Sequence, residues 1–137
     1  MEFFKQEDFF EFGSGVNTFV VNYGHWGNGI SKVNIRKLIN GVPTTGFTIF
    51  KEEVDSLKAI LFSFKESNFA GELSFTPLTG ERILSDSTEI RVSSNKFDKV
   101  DIRVFYDKEG EFFPSKNGVS IPVDLLEEFL AGLTNIK

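Results

Sequence analysis

The hydrophobic positions of this chain fall into short alternating runs, and twice into a longer helical stripe. Val33 and Ile35 alternate with Lys32, Asn34 and Arg36 within Ser31–Ile39, and Val100, Ile102 and Val104 alternate with Lys99, Asp101 and Arg103 within Lys99–Tyr106. A period of two marks a strand with one buried face. The same reading predicts strands at Phe9–Phe12, Thr18–Tyr23, Thr44–Phe50, Leu73–Leu78 and Thr88–Ser94, with Pro77 marking a sheet edge. A last extended run, interrupted by Pro114 and relieved by Gly118, ends at Val119 and Ile121. Asn40-Gly41 and Asp107-Lys108-Glu109-Gly110 supply turns, and Gly13-Ser14-Gly15 a break. His25–Gly29 and Asn95–Asp98 read as turns carrying an aromatic side chain at the tip. Helical spacing takes over at Glu52–Phe64, with Val54, Leu57, Leu61 and Phe64 on one stripe. It returns after Pro122, which suits the first position of a helix, with Leu126, Phe129, Leu130 and Leu133. Met1–Asp8 reads as an arm ahead of the first strand.

The order of elements is written twice. K-V-N-I-R at Lys32–Arg36 stands against K-V-D-I-R at Lys99–Arg103, an offset of 67, and G-F-T-I from Gly46 stands against G-V-S-I from Gly118, an offset of 72. The hairpin between these two markers is therefore five residues longer in the second copy. At the larger offset Val54, Leu57 and Leu61 fall on Leu126, Phe129 and Leu133. This is the signature of a duplicated unit of four strands and a helix, occupying residues 1–67 and 68–137. One such unit leaves its helix half bare, and two units solve that problem by packing on each other.

From Lys99 onward the chain shows Asp101-Ile102-Arg103, the pair Phe105-Tyr106, Asp107-x-Glu109-Gly110-Glu111, Pro114 and Lys116-x-Gly118-Val119-Ser120. This ordered series, with one short gap in the hairpin, resembles the single-stranded-DNA-binding core of the transcriptional positive cofactor 4 (whirly-like) family. The resemblance implies a curved four-stranded antiparallel sheet followed by one long helix, dimerising through the helices. With the duplication, the expected fold is α+β, two such units packed as an intrachain pseudo-dimer. Purine-rich-element-binding proteins also use tandem repeats of similar topology, but none of their sequence pattern is present beyond that. The resemblance implies that Arg103 contacts a nucleic-acid backbone, and the internal repeat extends this role to Arg36. It places Trp26 and Phe97 in turns where the family carries a base-stacking aromatic, and Tyr106 where it carries a binding-surface tryptophan. Phe113 and Asn117 replace basic family residues, whereas Lys116 keeps one.

Composition narrows the function. The chain has 137 residues, 40% hydrophobic and 26% charged, which suits a globular domain. Seventeen phenylalanines are more than a core of this size requires. With no cysteine and a single histidine, thiolate chemistry, zinc clusters and a disulfide framework are excluded. Ser14 has no base to activate it, and its glycine pattern lacks a P-loop lysine. The reading is therefore not an enzyme, with no cofactor and no metal. No apolar run approaches the roughly 20 residues of a membrane helix, and the acidic, aromatic start is unlike a secretory signal. A cytoplasmic protein of a bacterial or phage-infected cell, without a membrane partner, is the expectation.

The net charge of −5 argues against indiscriminate nucleic-acid binding. Its distribution matters more, because Lys32, Arg36, Arg91, Lys99 and Arg103 sit at strand midpoints while many acids sit in turns and helix starts. Single-strand binding needs cations spaced for phosphates and aromatic faces for bases. The candidate set is Tyr23, Trp26, Lys32, Arg36, Lys37, Arg91, Lys96, Phe97, Lys99, Arg103, Tyr106 and Lys116. The plain alternative is ordinary solvated strand charge, with Arg103 paired to Asp101 or Glu89, and a Trp26 ring folded over the sheet edge. The expected function is single-stranded DNA binding on unwound DNA in replication, recombination or transcription, with a further homodimer beyond the pseudo-dimer. Alternatives are an RNA-binding member, or a protein-interaction module of the same fold. The phenylalanines of MEFFKQEDFF either compete with ligand in its groove or pack on the core.

Overall fold

A computed structural model of the chain describes residues 5–25, 31–75, 88–94 and 98–136. The fold is α+β. Strands β1 (Lys5–Ser14), β2 (Asn17–His25), β3 (Ser31–Ile39) and β4 (Val42–Phe50) form one antiparallel sheet in chain order, followed by helix α1 (Val54–Glu66). Strands β5 (Glu72–Phe75), β6 (Thr88–Ser94), β7 (Lys99–Lys108) and β8 (Glu111–Pro122) form a second, followed by helix α2 (Leu126–Thr134).

Two-residue hairpins set the register. Asn40 and Gly41 both have positive φ, 52° and 78°, and so do Glu109 and Gly110, 57° and 88°. That geometry matches the twist of the flanking strands. The Asp107 carboxylate accepts the Gly110 N–H at 3.0 Å and holds the second turn. With register fixed, the alternation carries Phe19, Val21, Val33, Ile35, Phe47 and Ile49 into the core from the first sheet. Ile90, Val92, Val100, Ile102, Val119 and Ile121 enter it from the second.

The two halves share one hydrophobic core. Helix α1 packs on β5 and β6 of the following sheet, α2 reaches back to β1, the helices touch each other, and β4 lies against β8. Each helix thus covers strands of the other copy, which is the layout of an intrachain pseudo-dimer. The matched stripes Val54, Leu57, Leu61 and Leu126, Phe129, Leu133 are all buried. Gly132 lets α2 approach β1, since a Cβ there would run into the Phe10 ring.

Three expectations need correction. The segment before Phe9 is not an arm as far as Lys5–Asp8 is concerned: β1 starts at Lys5 and its backbone pairs with β2 up to His25. The pairing is anchored by Phe12, 5% exposed, whose ring lies 5.2 Å from Phe19 and 5.4 Å from Phe129. Phe10 packs against the core, whereas Phe9 is 53% exposed. Met1–Phe4 and Pro77 fall outside the described residues. His25 is the half-buried end of β2, not part of a turn.

Pro122 is not the first residue of a helix. It closes β8 opposite Lys99, and a 3-10 turn, Val123–Leu125, intervenes before α2. The first copy has the same turn at Lys51–Glu53, where the Phe50 N–H donates to the Glu53 carboxylate at 2.8 Å. Glu53 is 2% exposed, so it works as a buried cap. Pro122 has no N–H to satisfy, and Leu125 accordingly stands where Glu53 stands in the first copy.

Candidate functional site

The outward face of each sheet centres on one arginine held beside a break in strand pairing. On β3, Arg36 lies opposite Gly46; the register then jumps to Leu38 opposite Pro43. On β7, Arg103 lies opposite Gly118, and the register jumps to Phe105 opposite Pro114. Both glycines are required by close approach. A Cβ on Gly46 or Gly118 would sit 2.9 Å from the Cα of Arg36 or Arg103 and collide with the preceding carbonyl. Within each bulge the arginine donates to a strand carbonyl: Arg36 to Thr44 O at 3.4 Å, Arg103 to Ser115 O at 3.0 Å.

The side chains around each arginine repeat as well. Asn34 Oδ1 accepts from Arg36 at 3.4 Å and from the Thr48 hydroxyl at 3.0 Å. At the matched positions Asp101 Oδ1 accepts from Arg103 at 3.0 Å and from the Ser120 hydroxyl at 2.9 Å, while Asp101 Oδ2 accepts from Arg103 Nε at 3.1 Å. Thus Arg103 meets a carboxylate with a two-pronged fork, and Arg36 meets a neutral amide through longer bonds. Of these network residues the sequence pointed only to Asp101, as a partner for Arg103; Asn34, Thr48 and Ser120 were not singled out. Their signal was there, in the polar places of the repeat: K-V-[ND]-I-R and G-[FV]-[TS]-I.

Arg91 lies directly opposite Arg103 on the neighbouring strand. It is held by Glu89 at 2.8 Å and Glu72 at 3.5 Å, and its guanidinium stacks 4.4 Å from the centre of the Phe105 ring, with Phe112 at 5.4 Å. The position opposite Arg36 is Val20. Lys32 and Lys99 stand at the far end of β3 and β7, with the Lys32 ammonium 5.3 Å from the centre of the Phe50 ring.

The remaining candidates do not join these faces. Tyr23 and Lys37 lie opposite Val33 and Phe19, which places them on the core side of the first sheet; the Lys51 ammonium covers the Tyr23 ring at 5.5 Å. Tyr106 shares its side of β7 with Val104 and Ile102, away from Arg103. It forms an exposed pair with Phe113, rings 6.1 Å apart, where the longer hairpin overhangs the core. Lys116 is exposed within the bulge. Trp26, Lys96 and Phe97 lie outside the described residues.

Among the described residues no group of three or more His, Cys, Asp or Glu could hold a metal ion, and no helix is long and apolar enough to cross a membrane. Compared with known families, the chain matches the model described as Transcriptional Coactivator p15 (PC4) over residues 84–132, which spans β6, β7, β8 and most of α2. The match supports a likeness to that family over about a third of the chain, in the second copy. No curated protein matches the chain.

Proposed function

We propose that the protein binds single-stranded nucleic acid, with phosphates taken by cationic side chains on an outer sheet face. The observation that carries this reading is the recurrence, at matched points of two sheets, of an arginine positioned by a bulge, a glycine and a polar neighbour. The likeness of residues 84–132 to the coactivator family supports it. A sheet face that offers cations to phosphates suits an unpaired strand. DNA opened during replication, recombination or transcription is the proposed target.

Fluorescence anisotropy with a labelled single strand, its duplex and the matching RNA, each at two salt concentrations, tests the reading. Tighter binding to single strands, weakening as salt rises, is expected because phosphate contacts release counterions. Equal affinity for duplex, or indifference to salt, overturns it. The RNA arm decides whether the sugar is read.

One observation favours a second reading, a protein-interaction module. The arginines of the second sheet already carry carboxylate partners, and the chain as a whole has a net charge of −5. Absence of binding to any nucleic acid at low salt would favour it.

A further inference from the structure

The two arginine sites share a backbone and differ in electrostatics, and that difference has a functional consequence. Arg103 is committed. Its Nε and one terminal nitrogen grip both oxygens of Asp101, its other terminal nitrogen is bonded to Ser115 O, and all three bonds are 3.0–3.1 Å. A phosphate reaching it must displace a carboxylate or sit beside one, and either costs Coulomb energy at close range. Arg91 next to it is in the same condition, with Glu89 and Glu72 at its guanidinium.

Arg36 occupies the matched place without that commitment. Its partners are an amide oxygen and a backbone carbonyl, both at 3.4 Å, near the outer limit of a hydrogen bond. Among the described residues it makes no ion pair. The neighbours across the strands, Val20 and Gly46, carry no charge. Turning Arg36 toward a phosphate therefore gives up two weak neutral contacts and leaves no carboxylate unpaired. The charge of the two halves runs the same way, net −1 over residues 1–67 and −4 over residues 68–137.

We infer that the strand's phosphates are taken by the first sheet, at Arg36 with Lys32 on the same face, and that the arginines of the second sheet are neutralised within it, Arg103 serving to lock the bulge of β8. This assignment rests on the nucleic-acid reading above and refines it. It puts the binding face in the copy that the coactivator family model does not cover.

The test is the salt dependence of single-strand affinity for Arg36→Ala, Arg103→Ala and Asp101→Asn, with melting curves for each. A lost phosphate contact flattens the log–log salt slope by about 0.7 for a single strand. Arg36→Ala is expected to flatten it by that amount and to lower affinity severalfold, while Arg103→Ala leaves the slope unchanged. Since Arg103→Ala removes a bulge clamp and is liable to unfold, Asp101→Asn provides the second measurement. It copies the Asn34 arrangement into the second sheet, keeps an acceptor for Ser120, and is expected to steepen the slope and raise affinity. Equal slope losses at Arg36 and Arg103, or no gain from Asp101→Asn, overturn the division between the sheets. A wild-type protein that binds no single strand at low salt defeats the nucleic-acid reading itself, and the two failures are distinguishable.

Discussion

The two copies of this chain are most instructive where they differ in a single atom. Asn34 and Asp101 occupy the same place in the repeat, accept from the matched hydroxyls of Thr48 and Ser120 and face the matched arginines, yet one is an amide and the other a carboxylate. The backbone arrangement survives the exchange because both side chains offer an oxygen acceptor at Oδ1. What changes is whether the arginine retains an unbalanced charge. The entrances to the helices show the same logic: Glu53 is present where Phe50 has an N–H to donate and is replaced by Leu125 where Pro122 has none. The geometry repeats between the two units, while the polar chemistry differs between them.

If the halves share one core, matched helix positions should matter equally to the whole. Leu57→Ala and Phe129→Ala, at fully buried sites in α1 and α2, are each expected to cost about 2–5 kcal/mol. Both should lower the midpoint of a single cooperative transition in denaturant. A second transition in either variant would show that the copies unfold separately.

The bulges come next. Gly46→Ala and Gly118→Ala each force a methyl group against strand backbone, expected to cost about 1–3 kcal/mol through displacement of the facing strand. Thermal melting of the pair compares the sheets; a neutral result at one glycine would mean that its bulge yields where the other is rigid. The cap is of similar size. Glu53→Leu strands the buried Phe50 N–H at about 1–3 kcal/mol, whereas Glu53→Gln keeps an acceptor and should lose less.

The smallest effect concerns the contact between copies on the helix surface. Lys65 bonds Glu127 at 2.7 Å and, by that hydrogen bond and its charge, holds the Glu127 carboxyl below the ordinary carboxylate value. A lowered folded-state pKa contributes stability above the unfolded value, and the contribution is lost as pH falls through the folded one. Glu127 should therefore titrate early in an NMR pH series and return toward the ordinary value in Lys65→Met. No change would place the two side chains apart in solution.

Much of the fold was legible because its signals are local. Alternation at Lys32–Arg36 and Lys99–Arg103, the Asn40-Gly41 turn and the helical stripes each need only neighbours in the chain, and all proved to be the elements predicted. The Lys5–Asp8 strand escaped notice because Lys5-Gln6-Glu7-Asp8 holds no apolar residue to set a period, and its pairing depends on β2. Pro122 misled because a proline suits both a strand end and a helix start.

The candidate site was legible in part. The repeat pointed to Arg36 and Arg103, and the family resemblance put the phosphate role on Arg103 first, with Arg36 following only by the repeat. That Tyr23, Lys37 and Tyr106 lie on the other side of their strands follows from register. That Arg91 is stacked on Phe105 and paired with Glu72 follows from which strands become neighbours.

By itself, then, the sequence determined the strand and helix inventory, the internal repeat and the matched positions of two arginines, because periodicity and repeats are properties of the chain alone. Only the tertiary structure decided which helix covers which sheet and which arginine has its charge cancelled. Those outcomes depend on distances of a few ångströms between residues far apart in sequence, and at that range an amide or a carboxylate beside a guanidinium makes the difference between a free charge and a neutral pair.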